Sequence, residues 1–137
     1  MRRQALYAAV GQTVFATADG GGIWQPTADG LPANAVTSLT PDPLRPGTLF
    51  AGVDIPHSYK TKAGDVEKPA GGIYTTTDGG QTWSEVFAGF GVDKVAVDPL
   101  RPSIIYAAGW AGRDPTHANE FRLLRSTDGG HTWMVAG

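Results

Sequence analysis

The sequence contains no cysteine, which excludes disulfide bonds and thiolate chemistry and leaves no redox signature of a compartment. It also lacks an excess of basic residues, because 11 Lys and Arg against 13 Asp and Glu give a net charge of −2. Nucleic acids and anionic membrane surfaces attract strongly basic faces. No stretch approaches the roughly 20 apolar residues that a membrane span needs. We therefore expect no nucleic-acid partner, no membrane span and no cofactor.

Helical periodicity is missing as well, since no window of 11 to 18 residues repeats its apolar positions at helical spacing. The chain instead has 19 Gly and 10 Pro together with 41% apolar residues. This combination indicates a folded chain with many turns, as in an all-β protein with short strands. The apolar run 5–10 follows two arginines as in a signal peptide, but it ends at Gly11 and continues into a repeat. We interpret it as a strand, expect no signal peptide and leave the compartment open.

One motif, Ser/Thr-x-Asp-Gly-Gly-x-Thr-Trp, occurs twice intact, at 76–83 and 126–133. A third copy at 17–24 carries Ile23 where the other two have Thr. The aspartates of the three copies are 59 and 50 residues apart. Such a period is typical of repeat architectures that add one supersecondary unit at a time.

A second repeat, Asp-Pro-Leu-Arg-Pro, occurs at 42–46 and 98–102. Two prolines in five residues are incompatible with a helix or a central strand, so each copy predicts a turn between strands. Runs typical of strands flank both copies, and a further strand leads into each Asp motif, whose Trp begins another. The predicted unit is four antiparallel strands, A to D, with the Asp motif at the C–D turn.

This unit divides the chain into three parts. Residues 1–34 form an incomplete blade with strands B to D, and 35–90 form a full blade with a B–C insertion at 54–71. Residues 91–137 form another full blade with a B–C insertion at 110–120. Four-stranded units repeating at about 50 residues are typical of β-propeller blades. The predicted fold is therefore all-β, a partial β-propeller of about 2.7 blades.

The repeated motif resembles the Asp box of the bacterial neuraminidase repeat (BNR) family, and the resemblance covers nearly the whole chain. That family includes sialidases, sortilin-type receptors, xyloglucanase-like glycoside hydrolases and photosystem II assembly factors, many of them extracytoplasmic. The resemblance implies a propeller, but it does not select a function.

The residues of the three motifs are predicted to build turns rather than a metal site. Each Asp is expected to accept hydrogen bonds from backbone N–H groups one to three residues onward. The glycines supply positive φ values, and the Trp side chains bury apolar surface. Calcium needs six to eight oxygen ligands, whereas each motif offers one carboxylate. The structural set is Asp19, Trp24, Asp78, Gly80, Trp83, Asp128, Gly130 and Trp133.

Candidate binding residues lie in the two B–C insertions, the places where the repeats differ. In a four-stranded meander these insertions share one rim and the Asp motifs share the other. Long loops on a rigid scaffold commonly carry binding sites, so we expect a protein or glycan ligand there; two solvated loops are the alternative. The candidates are His57, Tyr59, Lys60, Trp110, Arg113, Asp114 and His117.

Two functions remain open at this point, and no catalytic residue is assigned. The first is a non-catalytic interaction or scaffold module. The alternative is a portion of a carbohydrate-active hydrolase whose catalytic residues lie mostly outside the chain, with Asp65 and Glu67 or Asp114 and Glu120 as conceivable carboxylate pairs. Sialidase chemistry would need an arginine triad and a Tyr/Glu nucleophile around six blades. Because 2.7 blades cannot close a ring, we expect a homo-oligomer or a second chain to complete it, and a fragment of a longer protein is the remaining alternative.

Overall fold

The computed structural model describes residues 5–27, 30–31, 36–54, 71–88, 90–111 and 121–136. These residues form eleven β strands and no helix. Accordingly, no helical membrane span occurs in these ranges. The strands are β1 (Leu6–Val10), β2 (Thr13–Thr17), β3 (Gln25–Pro26), β4 (Val36–Pro41), β5 (Leu49–Val53), β6 (Gly72–Thr76), β7 (Ser84–Ala88), β8 (Phe90–Val97), β9 (Ile105–Ala111), β10 (Phe121–Ser126) and β11 (Met134–Val135).

The strands form three separate antiparallel sheets in chain order. The first sheet is β1-β2-β3, the middle sheet is β4-β5-β6-β7 and the third sheet is β8-β9-β10-β11. This confirms the predicted all-β fold of a partial propeller. The last strand of each sheet begins one residue after its Trp, at Gln25, Ser84 and Met134, rather than at the Trp itself.

The sheets pack face to face, and the middle sheet is buried on both faces. Strand β5 shows why, because successive side chains of a strand point to opposite faces. Leu49, Ala51 and Val53 pack in a cluster with Val14 of the first sheet. Phe50 packs in a second cluster that contains residues of the third sheet. The first and third sheets therefore each bury one face and leave an outer face.

The two rims of the packed sheets carry different connections. Gly11, in the β1–β2 turn, accepts a 2.9 Å backbone bond from Val36, and Val36 pairs in turn with Val53 at the end of β5. We call this side, from which both insertions leave, the loop rim. On the opposite side, the turn rim, Gly79 N–H donates to Gly47. The equivalent bond in the third sheet joins Gly129 N–H to Ser103 at 2.9 Å.

Candidate functional site

The Asp-Gly-Gly turns, residues 17–24, 76–83 and 126–133, are held by side-chain hydrogen bonds. In the middle turn, Asp78 Oδ1 accepts from Thr76 Oγ1 at 2.7 Å and from Thr82 N–H at 2.9 Å. Asp78 Oδ2 accepts from the Thr82 hydroxyl at 2.5 Å. The Thr76 hydroxyl oxygen also accepts from Gly80 N–H at 2.9 Å. Residues 126–133 repeat this arrangement around Asp128.

The backbone donor to Asp78 lies four residues onward, beyond the predicted range of one to three residues. Gly79 and Gly80 both have positive φ, 74° and 90°. Two successive residues in this conformation widen the turn, so the N–H of Thr82 reaches the carboxylate. The sequence reasoning also missed the hydroxyls of Thr76 and Thr82. Their recurrence at fixed positions of the intact motif was the available signal.

The first turn has a different set of bonds because Ile23 carries no hydroxyl. Asp19 Oδ1 accepts from the N–H groups of Gly22 and Ile23 at 2.9 and 3.0 Å. It also accepts from the Thr17 hydroxyl at 2.6 Å. The side chain of Ile23 is 66% exposed. Asp19 Oδ2 therefore lacks the bond that Thr82 provides to Asp78.

These hydrogen bonds keep the turn carboxylates ionised. The hydroxyl and the N–H of Thr82 lower the pKa of Asp78 to about 2. The hydroxyl and the N–H of Thr132 lower the pKa of Asp128 in the same way. A catalytic general acid at neutral pH needs a raised carboxyl pKa, so the environment of these groups is opposite to that of a proton donor.

In the Asp-Pro-Leu-Arg-Pro turns, the Asp carboxylate is likewise hydrogen-bonded within its own turn. The buried Asp42 accepts from Leu44 N–H at 2.9 Å and from Arg45 Nε at 2.7 Å. Asp98 accepts from Leu100 N–H at 2.9 Å, and the pKa of Asp98 is lowered chiefly by this bond. Both carboxylates thus have local backbone and arginine partners on the turn rim.

An open cleft of about 1310 Å³ lies on the turn rim beside the first sheet. Its lining includes Tyr7, Asp19, Thr27 and Gln81, and Asp19 is the one acidic residue among the described residues of the lining. Glycoside hydrolysis ordinarily requires two carboxyl groups flanking the scissile bond. The described lining of this cleft does not provide such a pair.

One tyrosine and one glutamate do meet in the middle sheet, where Tyr74 is buried and Glu85 is exposed. Tyr74 is buried and donates to Glu85 Oε2 at 3.0 Å. Burial, together with the neighbouring Glu85, raises the pKa of Tyr74 to about 12. The phenol is therefore protonated at neutral pH, which makes this pair unsuitable as a nucleophile.

The predicted binding residues fall largely outside the described ranges. This applies to His57, Tyr59, Lys60, Arg113, Asp114 and His117. Trp110 lies in β9, where its backbone pairs with Phe121 and Gly91.

The ends of both insertions are nevertheless fixed by the sheets. Val53 pairs with Gly72 at the base of the first insertion, and Trp110 pairs with Phe121 at the base of the second. Within the described ranges, no group of three or more His, Asp or Glu side chains is arranged to hold a metal ion.

Solved structures similar to this chain include β-propeller proteins. An ancestral GH74 enzyme superposes with a TM-score of 0.72 at 19% identity, over 98% of this chain and 17% of that chain. The GH74 xyloglucanase from Xanthomonas campestris gives a TM-score of 0.68 at 22% identity, over 96% of this chain and 18% of its own. YCF48 bound to D1 peptide gives a TM-score of 0.57 at 20% identity, over 98% of this chain and 36% of that chain.

These similarities establish the fold alone, because the identities are low and the chain spans between about a sixth and about a third of each neighbour. No protein-family model matches the sequence, and no curated protein matches it. The neighbours include both enzymes and a peptide-bound protein, so the propeller fold is compatible with either function.

Proposed function

We propose that this chain is a non-catalytic interaction module of an Asp-box β-propeller, which binds a protein or glycan ligand on its loop rim. The observation that carries the proposal is the separation of its two rims. The carboxylates of Asp42, Asp78 and Asp128 are hydrogen-bonded within turns on one rim. The two long insertions leave the sheets on the other.

The proposed ligand site consists of His57, Tyr59, Lys60, Trp110, Arg113, Asp114 and His117. Aromatic and basic side chains of this kind can stack on sugar rings or apolar peptide groups and donate hydrogen bonds to hydroxyls or carbonyls. The paired residues at the base of each insertion give these loops a rigid support. The peptide bound to YCF48 shows that a propeller of similar fold can serve as a peptide receptor.

The alternative proposal, a portion of a carbohydrate-active hydrolase, is favoured by the similarity to GH74 enzymes. It requires a pair of carboxyl groups on the loop rim, with Asp65 and Glu67 or Asp114 and Glu120 as candidates. The two proposals differ in outcome, because a hydrolase releases shortened sugars and a binding module leaves its glycan intact.

The test combines glycan and peptide arrays with a loop-shortened variant. Residues 57–68 are removed, and Pro56 is joined to Pro69 by a short Gly/Ser turn. Long surface insertions contribute little to stability, so the β-sheet circular dichroism signal should persist. The shortened variant should lose the array signal, while His131→Ala, an exposed change on the turn rim, should retain it.

Three results would contradict the proposal. Release of shortened xyloglucan oligosaccharides would establish the hydrolase. An unchanged array signal after loop removal would place the ligand elsewhere, and loss of the β-sheet signal would show that the insertion belongs to the core.

We also propose that the propeller ring is completed by association with another copy or a second chain. Propellers typically contain four to eight blades, and the described part of this chain provides three sheets. The outer faces of the first and third sheets would then be covered in the assembled ring.

A further inference from the structure

Three aromatic residues occupy the same position in the three sheets. Tyr7 pairs with Ala16, Phe50 with Thr75 and Tyr106 with Arg125. Each partner directly precedes the Ser or Thr that begins the Asp-Gly-Gly turn of its sheet. The equivalence therefore rests on strand register as well as on sequence.

The first two of these aromatic side chains contact the turn of the following sheet. Phe50 is 1% exposed, and a Cβ placed on Gly130 of the third sheet would lie only 2.6 Å from its Cε1 atom. The Tyr7 hydroxyl lies 3.3 Å from a Cβ placed on Gly79, the first glycine of the middle-sheet turn, whereas Gly130 is the second glycine of its turn. A glycine in the turn thus makes room for the aromatic residue of the preceding sheet.

The third aromatic residue has no following sheet to contact. Tyr106 is 38% exposed on the outer face of the third sheet, where the Arg125 guanidinium lies 5.8 Å from the ring centre. A second apolar position follows the same pattern. Val14 and Ile73 are 0% exposed, whereas the equivalent Leu123 is 40% exposed.

The first sheet exposes the complementary surface, the face that would pack against a preceding sheet. On the middle sheet, Leu49, Val53 and Trp83 are at most 5% exposed because they pack in the cluster shared with the first sheet. The equivalent residues of the first sheet have no preceding sheet against them. These are Leu6, Val10 and Trp24, which are 43%, 64% and 41% exposed.

In the described part of the chain, no other sheet packs against the Asp-Gly-Gly turn of the first sheet. Among the atoms of the described residues, a Cβ placed on Gly21 would meet those of Trp24 alone, at 3.9 Å. Trp24 belongs to the same turn. The Asp-Gly-Gly turn of the first sheet therefore retains the space that Phe50 fills at Gly130.

We propose that the outer face of the third sheet, around Tyr106 and Leu123, binds the outer face of the first sheet, around Leu6, Val10 and Trp24, of a second copy of this chain. The inference rests on the proposed completion of the ring and specifies the surfaces that complete it. The second copy is the occupant because one chain carries both halves of a contact that it already makes twice internally. Two copies supply six sheets, within the range of closed propellers.

An arginine supports the same contact between two copies, which we call the seam. Arg45 extends from the middle sheet towards the third, where its Nη2 atom lies 3.5 Å from the carbonyl oxygen of Gly129. The equivalent Arg101 has a 73% exposed side chain and a longer ion pair, 3.6 Å, with Asp98. In the assembly, Arg101 would reach the Asp-Gly-Gly turn of the second copy in the way that Arg45 reaches Gly129.

The experiment uses one variant for each half of the seam. Tyr106→Ser alters the third sheet and Val10→Ser alters the first, while Leu44→Ser, a 72% exposed position on a turn, is the control. Self-association is measured by sedimentation equilibrium, and circular dichroism verifies that each variant is folded. Each seam variant should associate at least tenfold more weakly than the wild-type chain, and the control should match the wild type.

The decisive sample is the mixture of the two seam variants. In a ring of two copies, a pair of identical variants has both contacts altered on one side, whereas a mixed pair has one fully intact contact and one altered on both sides. Because substitutions of residues in contact are not additive, the second serine should weaken a disrupted contact little further, and a 1:1 mixture should associate more tightly than either variant alone. A mixture no tighter than its components, or a wild-type chain that stays at 14.4 kDa up to 100 µM, would overturn the inference. The array signal of the loop rim should be equal in all three variants, so failure of the seam and failure of the proposed ligand site are distinguishable.

Discussion

Replacing Gly130 with Ala should destabilise the chain through the packing between the middle and third sheets. Gly130 has a φ of 96°, a conformation that costs a residue with a Cβ about 1–2 kcal/mol. The new Cβ would also lie 2.6 Å from Phe50 Cε1 and 3.5 Å from Ile105 Cδ1. Phe50 and Ile105 are at most 1% exposed, so neither can move aside freely, and overpacking adds about 1–3 kcal/mol. The free energy of unfolding of Gly130→Ala should therefore be lower than that of the wild-type chain by about 2–5 kcal/mol.

The matched control is Gly21→Ala in the first sheet. Gly21 has a similar φ of 109°, but its new Cβ would have no atom closer than 3.9 Å among those of the described residues. The control should therefore lose about 1–2 kcal/mol from the backbone alone. The difference between the two variants isolates the contact between sheets.

Unfolding in guanidinium chloride, followed by tryptophan fluorescence, measures both losses. The chain should be kept at a concentration at which it is monomeric, because association would add a second contact at Gly21. Equal destabilisation by the two substitutions would refute the packing of Phe50 against the Gly130 turn. It would also remove the basis for equating Tyr106 with Phe50.

Three further predictions concern the turns and the seam between sheets. The pKa of Asp78 is lowered to about 2 in the folded chain, against about 3.9 when unfolded. The contribution of Asp78 to stability is therefore present above pH 4 and lost as the pH falls towards 2. In urea unfolding, the free energy of unfolding of Asp78→Asn should depend less on pH in that range than that of the wild-type chain. Ile23→Thr should raise the melting temperature in differential scanning calorimetry, because the new hydroxyl can donate to Asp19 Oδ2 as Thr82 donates to Asp78; an unchanged or lower value would contradict the role given to that hydroxyl. Thr40→Val should lower the free energy of unfolding by about 0.5–1.5 kcal/mol, because it removes the 2.6 Å bond from Thr40 Oγ1 to the Val95 carbonyl. An unchanged free energy in urea unfolding would show that this bond between sheets does not contribute to stability.

The fold could be predicted from the sequence because the repeats place turn residues at fixed positions. The strands β2, β6 and β10 each lead into an Asp motif, as the pattern predicts. Two prolines in each Asp-Pro-Leu-Arg-Pro copy leave few alternatives to a turn between strands. Local rules of this kind need no knowledge of which sheets touch.

The contacts between sheets could not be predicted in the same way. The continuous apolar run of β5 indicates two buried faces, but it does not say that Phe50 meets Gly130 of the next sheet. That contact depends on the angle between sheets, which no local pattern specifies. The bond from Thr82 N–H to Asp78 escaped prediction because it follows from two successive positive φ values rather than from spacing.

The candidate ligand site remains a prediction. Six of its seven residues lie outside the described ranges. The repeat pattern identified the rim from which these loops leave, and the backbone pairing of Val53 and Trp110 is consistent with that position.

The most direct test of the account is an NMR titration of the ¹⁵N-labelled chain with a ligand obtained from the glycan and peptide arrays. The account predicts that amide shifts change at the bases of the two insertions, around Val53, Gly72 and Phe121, and that the ligand is recovered intact. Shift changes confined to the turn rim around Asp78 and Asp128, or recovery of a cleaved ligand, would contradict it.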